Sequence, residues 1–129
     1  MNSYLLSASL IMFLVGLAHT VIGEFLIFRR MRTSGIVPTN GGAVLKERHV
    51  RILWATWHIS TVLGWSVSLI LFQLARVVRP EGPHTTILVW VAMSSLVSAA
   101  LVFIGTNAKH PGWIGLLAAA VLTWLGLPA

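Results

Sequence analysis

The sequence predicts an all-α protein: an integral membrane four-helix bundle, antiparallel and up-down, with no large soluble domain. Three observations predict it. The 129 residues are 57% hydrophobic and 9% charged, against about 25% charged in a soluble domain. Apolar runs recur at spanning length, since ~20 residues at ~1.5 Å each cross a ~30 Å hydrocarbon layer. The breaks between the runs hold most basic residues and the helix-breaking Gly and Pro. A mean hydropathy of +0.87 agrees.

The first span covers about residues 4–28 and stops at Arg29-Arg30. Its start, Met1-Asn2-Ser3-Tyr4, lacks a basic leader, and no small-residue cleavage site interrupts the apolar run, so it reads as an uncleaved span. Residues 29–51 form a polar cytoplasmic loop broken by Gly35, Pro38, Asn40, Gly41 and Gly42. Lys46-Glu47-Arg48-His49 begins a short interfacial helix leading into the second span, residues 52–74. Arg79-Pro80-Glu81-Gly82-Pro83 reads as a rigid turn. The third span, 85–106, carries a Ser94-x3-Ser98 seam for close helix contact. Pro111 suits a helix start, and the short fourth span, 113–127, carries Gly115, Ala119 and Thr123 as a second seam. The whole chain is one membrane domain.

Composition also excludes. There is no cysteine, which removes disulfides, thiolate metal sites and c-type haem attachment. The pI near 11.6 does not indicate nucleic acid, because the cations sit beside the spans, where they meet anionic headgroups. Arg29, Arg30, Arg32, Lys46, Arg48, Arg51 and Lys109 lie on one side; Arg76 and Arg79 lie on the other. That asymmetry places the long loop in the cytoplasm and both termini outside it.

Candidate chemistry gathers near the cytoplasmic end. His19 lies ten residues before Arg29 and His58 seven after Arg51, which places them ~15 Å and ~10 Å along their helices. A histidine inside a span is costly to place and needs a partner. Gly16 and Gly23 flank His19 and strip bulk from beside it; Trp54, His58, Thr61 and Trp65 share one helical face. Glu24, Arg51, Lys109 and His110 lie nearer the same interface.

Four readings use this cluster. A b-type haem would take His19 and His58 as ligands, with room from Gly16 and Gly23, walls from Trp54 and Trp65, and Arg51 and Lys109 on its propionates. A zinc or copper ion would take His19, His58, His110 and Glu24, although His19 and Glu24, five residues apart, are turned by ~140°. A proton or quinone site would use His58 or Glu24 to bond a carbonyl or relay a proton, with a Trp as ring platform; a small proton-coupled exporter falls under the same reading. Finally, the histidines would simply hydrogen-bond neighbouring helices in a scaffold or accessory subunit, with a membrane-protein partner or a second copy of the chain. No hydrolase triad, phosphate-binding glycine loop or carboxylate pair is present, so an independent enzyme is not expected.

The stretches A-H-T-V-I-G-E (Ala18 to Glu24), W-H-I-S-T (Trp57 to Thr61) and H-P-G-W (His110 to Trp113) resemble small four-span bacterial membrane proteins. The resemblance implies four helices and a bacterial inner (cytoplasmic) membrane, and it brings no activity with it. The orientation is directly testable. A cysteine placed at Asn40 should react with an impermeant thiol reagent only from the cytoplasmic side. Labelling from outside intact cells would reverse the topology.

Overall fold

The computed structural model describes residues 1–77 and 82–128. Most of the Arg79-to-Pro83 turn and its Arg79 therefore lie outside the described residues. The helical elements are α1 (Ser3–Leu26), a 3-10 turn (Phe28–Met31), α2 (Glu47–Ala75), α3 (Pro83–Gly105) and α4 (Gly112–Leu125). Among the described residues there is no strand, and one isolated bridge joins Gly41 to Leu45.

Three segments are long and apolar enough to cross a membrane: Ser3–Met31, Glu47–Ala75 and Pro83–Gly105. The fourth helix is equally apolar but has 14 residues, or ~21 Å at ~1.5 Å per residue, short of a ~30 Å layer. The second helix begins earlier than the hydropathy suggests. No separate interfacial helix precedes it; α2 runs unbroken from Glu47. Glu47 sits in its first turn, where a carboxylate complements the exposed amides.

Contacts divide the chain into two compact units, one made of Met1–Val15 with Gly64–Ala129 and the other of Gly16–Leu63. Each is described by itself. Both α1 and α2 contribute residues to each unit.

In the first unit, Leu5, Ala8, Met12, Leu71, Leu74, Ala75, Leu88, Val91 and Ala119 form the buried core. Asn2 closes one end of it. Its Oδ1 accepts the Tyr4 and Leu5 amides at 3.1 and 3.2 Å, capping α1. Its own amide donates to Ala75 O at 2.7 Å and its Nδ2 to Gly126 O at 2.9 Å. One residue thereby satisfies groups at the ends of three helices, groups that helix geometry leaves without intrahelical partners. Along the helices, Ser9 Oγ donates to Ser68 O and Ser68 Oγ to Ser9 O, both at 2.8 Å and both buried.

α3 and α4 pack directly on each other. The face α3 buries is Leu88, Val91, Ala92, Ser95 and Ala99, a helical i, i+3, i+4, i+7 stripe. That face lies beside the predicted Ser94/Ser98 seam. Ser94 is exposed and its hydroxyl returns to its own helix at Val91 O, 3.1 Å away. On α4, Ala119, Ala120 and Thr123 are buried, but the Val15 side chain of α1 occupies the space a Cβ on Gly115 would take, so at Gly115 the seam meets α1. Ala119 has no exposed surface. Ala119→Leu should therefore overpack the first unit and cost about 1–3 kcal/mol, read as a lower melting temperature in detergent. Ser94→Leu should melt like the parent; equal melting of both variants would mean the α4 face is loosely packed.

Candidate functional site

The second unit holds the polar cluster. Its scaffold is a close crossing of α1 and α2. Thr20 Oγ1 donates to Thr61 Oγ1 at 2.7 Å, and Thr61 is buried. Four residues further along α1 stands Glu24; three residues back along α2 stands His58. Between these levels Trp57 presses its indole against Gly23, in the volume a Cβ would need. The indole N–H donates to His19 O at 3.0 Å. That carbonyl's second lone pair is available beside the helix ladder. The His19 ring lies flat on the indole, with centroids 4.1 Å apart and planes 8° apart. Phe28 meets Trp57 edge-on at 5.6 Å.

The bare face at Gly23 therefore does not stay open for a flat ligand. It receives the flat side chain of Trp57. Trp57 is not among the site residues that sequence reasoning picks out, yet the signal is present. Trp54, Trp57, His58 and Thr61 follow the i, i+3, i+4, i+7 rule of one helical face.

Beside this aromatic stack sits the ionisable group of the unit. The Glu24 carboxylate is ion-paired through Oε1 with the Arg32 guanidinium. Its Oε2 is 3.7 Å from His58 Nε2, a pair that carries opposite charges only when the imidazole is protonated. Arg32 reaches back because helix α1 ends at Leu26 and the 3-10 turn redirects the chain. Arg32 Nε also donates to Ile36 O at 2.6 Å, so one guanidinium ties the loop to the carboxylate. The loop is held further by the Thr39 and Asn40 amides on Met31 O, at 3.1 and 2.9 Å. Trp54 stands edge-on to His58 at 4.7 Å. Two nitrogen atoms here, Trp54 Nε1 and His58 Nε2, are buried and lack a protein hydrogen-bond partner. Buried polar atoms are nearly always paired, which makes these two nitrogens unusual.

The remaining expected residues have local roles. Gly16 is buried in the second unit. Arg51 is exposed and pairs with Glu47 one helical turn away, Nε to Oε1 at 2.7 Å. Trp65 belongs to the first unit, stacked on Phe13 at 5.8 Å with its N–H on Phe13 O at 3.2 Å. Lys109 and His110 also belong to the first unit, in the turn between α3 and α4. Lys109 is exposed, and His110 Nδ1 accepts the Gly112 amide at 3.1 Å, the work of a turn residue. Among the described residues, no group of three or more His, Cys, Asp or Glu side chains is arranged to hold a metal ion. His19, His58, Glu24, Gly23 and Trp54 are brought into one unit, joined by Arg32, Trp57 and Phe28.

Comparison with protein-family models, with curated proteins and with solved structures finds no match to this chain. The site must be read from its own chemistry.

Gly23→Ala tests the aromatic lock. The added methyl meets the Trp57 indole and should cost about 1–3 kcal/mol, with a shifted tryptophan emission maximum. At Gly64, within α2, an added methyl would meet nothing within 4 Å, so Gly64→Ala should leave both readings unchanged or raise the melting point. An unshifted Gly23→Ala emission would mean the indole sits elsewhere.

Proposed function

We propose that the chain is a multi-pass protein of the bacterial inner membrane, an up-down antiparallel bundle, whose 16–63 helix pair binds the carbonyl of a flat, lipid-soluble ligand of the quinone class. His58 holds a transferable proton at that carbonyl, and Glu24 is its counter-ion. The observation that carries this reading is the pair of buried nitrogens, Trp54 Nε1 and His58 Nε2, without hydrogen-bond partners beside the Glu24 carboxylate. An indole N–H donates only, and a protonated imidazole donates from both nitrogens. Two donors on neighbouring rings suit a carbonyl oxygen. Glu24 keeps Arg32 on one oxygen and turns the other toward His58, so a counter-charge is in place whenever the imidazole carries its second proton. The aromatic edges of Trp54 and Phe28 beside His58 offer ring contacts.

The haem reading draws less support, because Trp57 takes the space beside Gly23 and Arg51 is engaged by Glu47. The scaffold reading accounts for His58 beside Glu24 but leaves Trp54 Nε1 without an acceptor.

Binding is measurable by quenching of tryptophan emission as a short-chain quinone is titrated into the purified protein. Trp54→Phe keeps the ring and deletes the donor, and should weaken binding roughly tenfold, the order of one lost hydrogen bond in an apolar site. His58→Ala and Glu24→Gln should weaken it at least as much. Equal quenching of the parent and all three variants would refute the proposal. A Soret band in the purified parent would replace it with the haem reading.

A further inference from the structure

A second feature of the 16–63 unit adjoins the Glu24–His58 cluster and shares Phe28 with it. Beside Trp57 lies an open groove of about 380 Å³ whose lining includes neither Glu24 nor His58. It is lined by His19, Ile27, Phe28 and Met31 from the first helical segment and by Leu53 and Trp57 from α2. Thr56 and Ser60 complete it, but their hydroxyl protons are committed to their own helix, to Ile52 O at 2.8 Å and Thr56 O at 2.9 Å. The broad face of the His19 ring is covered by Trp57. The walls thus present mainly carbon, and the groove suits a hydrocarbon chain better than a polar ligand.

The charge beside it is unbalanced. The chain has nine Lys and Arg against three Asp and Glu. Glu24 is taken by Arg32 and Glu47 by Arg51, and the third acid, Glu81, lies outside the described residues. Arg29 and Arg30 are exposed and have no acidic partner among the described residues. They occupy the middle of the 3-10 turn whose first and last residues, Phe28 and Met31, line the groove. With three residues per turn, Phe28 and Met31 share one edge and the two arginines flank it. Arginine stems can cover apolar surface while the guanidinium heads remain in polar surroundings.

We infer that this groove is a binding site for one anionic phospholipid, with an acyl chain against Phe28, Met31, Leu53 and Trp57 and the phosphate on Arg29 and Arg30. Guanidinium forks match phosphate oxygens in two-pronged geometry, and an apolar slot beside paired cations matches the two ends of such a lipid. The inference rests on the membrane placement proposed above, which alkaline carbonate extraction of membranes tests by itself, and it is independent of the quinone reading.

Native mass spectrometry decides it. The full chain, delipidated in neutral detergent, is offered an equal mixture of dioleoyl phosphatidylglycerol and dioleoyl phosphatidylcholine. One phosphatidylglycerol should be retained, preferred roughly tenfold or more, the order expected of two cations at an anionic headgroup. Arg29→Gln with Arg30→Gln should abolish the preference, with helix content by circular dichroism unchanged. Ser60→Phe fills the groove and should lower retention of both lipids. Should that variant fail to fold, dihexanoyl phosphatidylglycerol serves instead and must bind the parent more weakly than the dioleoyl lipid. Equal retention of the two headgroups, a preference surviving in the double arginine variant, or displacement by glycerol phosphate as readily as by the whole lipid would each overturn the inference.

Discussion

The contact between Trp57 and Gly23 constrains the whole 16–63 unit. A glycine inside a helix gives up some helix stability relative to alanine, about 1 kcal/mol. Here it admits an indole against the α1 backbone. A buried indole needs an acceptor for its N–H, and the carbonyl of His19, one turn earlier on α1, supplies it at 3.0 Å. With the indole fixed, the His19 ring has a flat surface to rest on and Phe28 an edge to meet. Phe28 in turn opens the 3-10 turn, after which Arg32 returns to Glu24. The aromatic contact comes first in this chain of dependence, and the charged cluster follows from it.

Scarcity of acids shapes the electrostatics. With three carboxylate side chains in 129 residues, each described one is committed to an arginine. Glu24 is about one quarter exposed, as are its partners Arg32 and His58. In such partial burial an ion pair is less screened than at an open surface, and losing the anion leaves the guanidinium without its counter-charge. The Glu47–Arg51 pair is more than half exposed, a one-turn helix pair of the kind that contributes only a few tenths of a kcal/mol. The same formal interaction therefore does different work at the two places.

Much of the helical architecture is legible in the sequence because hydropathy and breakers act locally. The run after Arg51, the Gly and Pro cluster at residues 35–42, and Pro111 ahead of α4 mark elements without any knowledge of packing. What escapes depends on rotation about a helix axis or on backbone groups. Ser94 and Ser98 look like the α3 contact, but two small residues fit several faces, and the buried stripe runs through Ala92, Ser95 and Ala99. Asn2 is, to the sequence, only a polar residue near the start of the chain; its bonds go to carbonyls at Ala75 and Gly126, which carry no sequence signature. At the candidate site, His19, His58 and Glu24 stand out because ionisable groups are rare in apolar runs. Trp57 does not, since six tryptophans in a short chain make any single one ordinary to composition. Arg32 is readable as a basic flank and not as a partner, because its return to Glu24 depends on how the chain turns after Leu26.

The two crossed bonds of Ser9 and Ser68 have a consequence for motion. Helices that touch through smooth aliphatic surfaces slide and roll with little resistance, since one methyl group replaces another. Here each hydroxyl is seated on the opposite backbone at 2.8 Å, and the two oxygens stand 3.2 Å apart. A shift of a single residue moves one partner by ~1.5 Å along the axis and turns it by ~100°, which breaks both bonds at once. Both hydroxyls are buried, so solvent does not replace what is lost. The serines act as a key in a keyway: they add modestly to cohesion and forbid every axial setting but one.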